Sequence, residues 1–197
     1  MIKRFKPIIF LGSLILFINC NTTTSLQKYF VQKSEDPAFL IMNVPIALDS
    51  IFSNDIAENE REALQGIRKL NLLFYKRKAQ ASDQWSAEVN EIRTVLKQPS
   101  YQHLMDFKGF EKAKFSLMYE GEIEKVKEGI VFFEMEQFGF GVLRILGSSI
   151  EPSTLLSMLH KVDLKRLETQ SKIQLGDLGK LFKEFQNQPQ PQQKEVL

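Results

Sequence analysis

Gly129-Ile130-Val131-Phe132-Phe133-Glu134-Met135-Glu136-Gln137-Phe138-Gly139-Phe140-Gly141-Val142-Leu143-Arg144-Ile145-Leu146-Gly147 is the stretch that decides how this chain folds. Ile130 to Met135 is apolar except at Glu134 and reads as a central strand. Gln137-Phe138-Gly139 reads as a turn, and Phe140 to Leu146 as the returning strand, interrupted at Gly141 and Arg144. Two strands joined this tightly form an antiparallel pair.

Upstream, Ala113, Phe115, Leu117 and Tyr119 alternate with Lys112, Lys114, Ser116 and Glu120, as in a strand with one buried face. Leu70, Leu72 and Phe74 follow a similar period within Ile67–Tyr75. Phe39–Val44 is a short apolar strand ended by Pro45, which suits the first turn of a brief helix through Ile51-Phe52. Asn54 to Glu62 is polar and acidic, as in a loop. Trp85, Val89, Ile92 and Leu96 fall at i, i+4, i+7 and i+11, one face of a helix that Ser82 can cap and Pro99 stops. Tyr101 and Leu104 suggest one further turn. Downstream, Pro152 opens a helix lined by Leu155, Leu156 and Leu159. The order β-α-β-α-β-β-β-α predicts a single α+β domain. Its sheet is expected to hold about five strands, mixed or antiparallel, with helices packed on one face.

The chain has 197 residues, 43% of them hydrophobic and 25% charged, which suits one globular domain rather than a disordered or polytopic chain. Its single cysteine excludes a disulfide framework and any multi-cysteine zinc site. Lys3, Arg4 and Lys6 precede an apolar run from Ile8 to Ile18, the layout of a secretory signal over residues 1–19. That run is too short to span a bilayer of about 30 Å. It ends at Asn19-Cys20. Leu16-Phe17-Ile18-Asn19-Cys20 resembles a bacterial lipobox, with Phe17 where Leu is usual and Asn19 where a small residue is usual. Lipidation of the Cys20 sulfur, with palmitate-type acyl chains, is therefore expected. Removing the leader with its three basic residues leaves a mature chain close to electroneutral, which offers nucleic acid no basic footprint. Residues 20–34 read as a tether and residues 35–160 as the domain. An amphipathic segment then fills 161–185, and a Gln/Pro-rich tail with little to bury, expected to be disordered, fills 186–197.

Gly66-Ile67-Arg68-Lys69-Leu70-Asn71-Leu72-Leu73-Phe74-Tyr75 resembles a strand of the bacterial domain-of-unknown-function 4252 family. Residues 112–120, then Glu128-Gly129-Ile130-Val131-Phe132-Phe133, are similar to that family's third and fourth strands. Leu143 to Ile150 resembles its closing element. The resemblance covers residues 35–160 and fits the lipoprotein-like leader. It implies a fold and an envelope location, and it transfers no catalytic residue.

Chemistry is sparse. His103 and His160 stand apart, without the paired spacing of a zinc-binding helix, although Asp106 and Glu111 lie near His103. No Gly-x-Ser-x-Gly elbow occurs, and Phe138-Gly139-Phe140-Gly141 suits a β-turn better than a phosphate cradle. Glu58, Glu60 and Glu62, and Glu120, Glu122 and Glu124, read as solvated runs. Strand alternation would place Glu134 and Glu136 on one face, a spacing that could hold a cation or an acid–base pair but that reads first as a solvated sheet face or rim. Lys76-Arg77-Lys78 reads as a solvated trio, and Trp85 as core.

Leu178, Leu181, Phe182 and Phe185 fall at i, i+3, i+4 and i+7, an apolar stripe suited to packing on the sheet or docking a partner. No metal, cofactor or catalytic residue is expected. The sequence predicts a non-catalytic binding domain anchored through acylated Cys20, at the outer membrane and facing the periplasm or the cell surface, with an envelope protein as partner. A periplasmic carrier of a small apolar ligand or lipid is the alternative.

Overall fold

The computed structural model describes residues 24–44, 51–52, 56–78, 82–108, 113–150 and 161–171, with residues 176, 179 and 183. In chain order, these form α1 (Leu26–Lys33), β1 (Phe39–Val44), α2 (Glu58–Gly66), β2 (Ile67–Lys76), α3 (Ser82–Leu96), β3 (Gln102–Lys108), β4 (Lys114–Glu122), β5 (Lys125–Met135), β6 (Gly139–Ile150) and α4 (Leu164–Ser171).

The α+β class is as expected, but the sheet differs in detail. Its six strands lie in the order β1-β2-β6-β5-β4-β3, and every neighbouring pair is antiparallel. After β2 the chain crosses by α3 to the far edge and lays down β3. The meander β3-β4-β5-β6 then returns to β2 and fills the gap. A βα crossover normally points to a parallel neighbour. Here the meander takes that place, so among the described residues no parallel pair forms.

Helices cover both faces of the sheet, not one. Leu73 and Tyr75 of β2 pack with Leu26, Tyr29 and Phe30 of α1, with Trp85, Val89, Ile92 and Leu96 of α3, and with Phe140 and Val142 of β6. Leu72 and Phe74 face the other way, toward Met42, Phe52, Leu64, Ile145 and Ile150. Successive strand side chains alternate faces, so the unbroken apolar run Leu72–Tyr75 requires cover on both sides. Trp85 is core, as its helix position predicts.

Three segments depart from the sequence reading. Residues 26–33, read as tether, form α1, because Leu26, Tyr29 and Phe30 at i, i+3 and i+4 bury one face. Ser25 caps this helix by accepting from the Lys28 amide at 3.2 Å. Part of the acidic stretch read as a loop is α2. There, buried Glu60 accepts from the Ala57 amide at 2.8 Å and from Lys161 Nζ at 2.6 Å. Residues 102–108 form edge strand β3 rather than a helical turn. The helix expected after Pro152 and the tail 186–197 lie outside the described residues, as do Cys20, Leu178, Leu181, Phe182 and Phe185.

Among the glycines held by close approach, two shape the central hairpin. Gly139 opens β6 at φ +140°, where a Cβ would stand 1.8 Å from the Tyr75 carbonyl oxygen. At Gly141 a Cβ would stand 2.1 Å from the Phe133 ring, which lies over this strand and stacks toward Phe74 at 6.3 Å between centroids.

Candidate functional site

α3 runs obliquely over the sheet. Trp85 sits over Tyr75 and Phe140, at 6.1 and 6.0 Å between ring centroids, and later turns reach β5, where Arg93 pairs with Glu134. Past the last turn, the inner face of β4 and β3 is only partly covered. A groove of about 550 Å³ opens there, with Phe132, Met118 and Leu96 in its apolar lining. Arg93, Lys97, Lys108 and Lys114 stand around it.

A bulge in β3 shapes the groove's outer wall. The β3–β4 register shifts between His103 and Met105, so Leu104 is the extra residue. Three residues apart on a regular strand, His103 and Asp106 would point to opposite faces. The bulge brings them together, His103 Nε2 lying 2.9 Å from Asp106 Oδ1. Across the strand pair, Ser116 Oγ donates to the same oxygen at 2.5 Å. The His103 hydrogen bond, then that of Ser116, holds the Asp106 carboxyl below the usual aspartate range.

The order of these groups governs their chemistry. An activated serine gives its proton to an imidazole, which a carboxylate orients. Here the carboxylate lies in the middle and takes the serine proton's hydrogen bond itself. The arrangement forms a polar wall and is not the serine–imidazole–carboxylate order of an activated nucleophile.

Glu134 and Glu136 do not form the carboxylate pair expected from alternation. Glu134 belongs to the groove and is held by Arg93, whereas Glu136 lies in the exposed turn after β5, where its carbonyl accepts from Arg77. The Arg77 guanidinium also covers Trp85 at 5.1 Å, so the middle residue of the basic trio packs on the core. His160 and Glu111 lie outside the described residues. Among the described residues no three His, Cys, Asp or Glu side chains converge as a metal site, and no helix is long and apolar enough to cross a membrane.

Sequence reasoning missed Lys97, Lys108 and Lys114. The available signal was the hairpin itself, since strands joined around residues 109–113 must bring Lys108 opposite Lys114. It also missed where the chain joins the body. Gln98 Nε2 donates to the Thr24 carbonyl at 2.6 Å, so the segment after Cys20 is pinned beside the C-terminal end of α3.

No curated protein and no solved structure matches the chain. The model of the family described as "Domain of unknown function (DUF4252)" matches residues 33–178, which include all six strands and α3, but of α1 only its last residue, Lys33. With most of its length matched, and with the strands that carried the resemblance in the sheet, this chain belongs to the DUF4252 family.

Proposed function

We propose that this chain is a lipid-anchored, non-catalytic binding module of the bacterial cell envelope, held at the outer membrane through acylated Cys20. The groove between α3 and β3–β4 carries the binding part of this reading. It pairs an apolar lining with a charged rim, the composition of recognition sites. Its hydroxyl, carboxylate and imidazole are bonded to one another in an order that fixes a wall rather than activating a nucleophile.

The lipobox-like sequence and the pinned chain support the anchoring part. Cys20 is four residues before Thr24, and an extended chain covers at most about 3.6 Å per residue. Acylated Cys20 would therefore hold the body within about 14 Å of the lipid surface, with the C-terminal end of α3 toward it. Several acyl chains on one cysteine give stable attachment, at about 0.8 kcal/mol per buried CH₂. Carriage of a small apolar ligand is the second reading, favoured by Phe132 and Met118 in the groove lining.

Intact mass and detergent-phase partitioning of the native protein beside Cys20→Ala test the anchor. The expected result is a mature mass that begins at Cys20 with acyl chains added, and loss of detergent partitioning in the variant. An unmodified, freely soluble native product would overturn it.

A further inference from the structure

We infer that the groove is a binding site for a single-chain anionic amphiphile, of which a long-chain carboxylate is the simplest kind. This deepens the binding-module reading and rests on it.

Lys108 and Lys114 are direct partners in the β3–β4 register, and both line the groove. Like charges placed directly opposite repel each other. The next residue across the sheet, Glu134, is held by Arg93. Among the described residues neither lysine has an ion-pair partner, and Asp106 is occupied by His103 and Ser116. An anionic head between the two lysines would satisfy both and remove their repulsion.

The lining explains the need for an apolar body. Ser116, next to Lys114 on this face, pairs with Phe132, and Met118 follows two residues further along. Lys114 to Met118 spans four residues, about 13 Å at 3.3 Å per residue. The Phe132 ring and the Met118 side chain therefore lie along one line that leads away from the lysine pair. A chain laid on that line runs beside Leu96, the last residue of α3, and Lys97, the residue after it, which also line the groove.

The tether geometry selects the source. The chain is pinned at Gln98, near the start of β3, whereas Lys108 ends that strand. Six residues separate Gln102 from Lys108, about 20 Å. The lysine pair thus points away from the end that would meet the anchoring bilayer, and the ligand is a monomeric amphiphile arriving from the aqueous side.

The test uses the full chain carrying Cys20→Ala, titrated calorimetrically with laurate and with dodecyltrimethylammonium, each below its micelle concentration. Laurate is expected to bind saturably with one site, and the ammonium amphiphile to bind at least tenfold more weakly. Lys108→Glu with Lys114→Glu should weaken laurate at least tenfold and reverse the preference. Laurate binding to the unsubstituted groove should also weaken as salt rises, a measurement that needs no groove variant. Absence of laurate binding, equal affinity for the two head groups, or laurate binding unaffected by the lysine reversals would each overturn the inference. Partitioning of the native protein is scored separately, so a chain that is acylated yet ignores laurate refutes the ligand and leaves the anchor reading intact.

Discussion

Glu128 on β5 and Arg144 on β6 form a two-pronged ion pair, with Arg144 Nε at 2.8 Å from Oε1 and Nη2 at 2.9 Å from Oε2. Both side chains are largely buried, on the face that α3 covers. Tyr101, in the connection from α3 to β3, donates its hydroxyl to Glu128 Oε1 at 3.3 Å. Burial, then the Glu128 charge, pushes the ionisation of Tyr101 well above that of an ordinary tyrosine, so it remains a donor. The pair therefore ties the central hairpin to the segment that ends the α3 crossover.

Breaking such a pair from one side leaves a buried charge without a partner, which costs about 3–5 kcal/mol. Glu128→Gln is expected to lower the unfolding free energy, read from urea denaturation, by about 3–5 kcal/mol, with Arg144 left behind. Arg144→Met combined with Glu128→Leu should recover most of the loss, because desolvation of both charges disappears as well. Equal losses in the single and double variants would show that the pair is not the cause.

Tyr29 makes the opposite case. Its hydroxyl is buried and donates to no acceptor among the described residues, although its ring packs edge-on to Phe39 at 6.4 Å and lies under Lys33 Nζ at 5.3 Å. Burial, and then the Glu88 and Glu91 carboxylates that Lys33 binds at 2.6 and 2.8 Å, push its ionisation far above the ordinary value. An unsatisfied buried hydroxyl costs about 1–3 kcal/mol. Tyr29→Phe is expected to keep both ring contacts and to leave stability unchanged or raise it by about 1 kcal/mol, read from chemical denaturation. A marked loss of stability would show that the hydroxyl does have an essential partner.

Asp106 should titrate below the unperturbed aspartate value of about 3.9. A carboxyl whose folded-state pKa is depressed contributes stability above its unfolded pKa, and that contribution is lost as pH falls through the folded value. The window here lies below about pH 3.9, and exposure of the side chain keeps the effect on stability small. Carbon-detected NMR of the carboxyl reads the midpoint directly. His103→Ala should raise it more than Ser116→Ala, following the relative weight of the two hydrogen bonds. A midpoint at or above the unperturbed value in the unsubstituted protein would show that this hydrogen-bonded chain does not form in solution.

The amino-acid sequence by itself determined the local elements whose causes are local. α3 follows from Trp85, Val89, Ile92 and Leu96 at helical spacing, and all four are buried. The β5–β6 hairpin follows from apolar runs on either side of Phe138-Gly139, and Gly139 does adopt the positive φ such a turn needs. Only the tertiary structure decided the rest. Edge strand β3 is too polar to announce itself, although its pairing with β4 is a local hairpin, and its place at the far edge of the sheet is set by the crossover through α3. The unbroken run at Leu72–Tyr75 carried the signal for a second covered face, but not the identity of the helices that cover it. The groove depends on where α3 stops relative to β4, and the meeting of His103 with Asp106 depends on one extra residue in a register. Side-chain period and turn chemistry are set by neighbours along the chain. Strand order, register and the space left between layers are set by contacts between distant segments, which a single sequence does not encode locally.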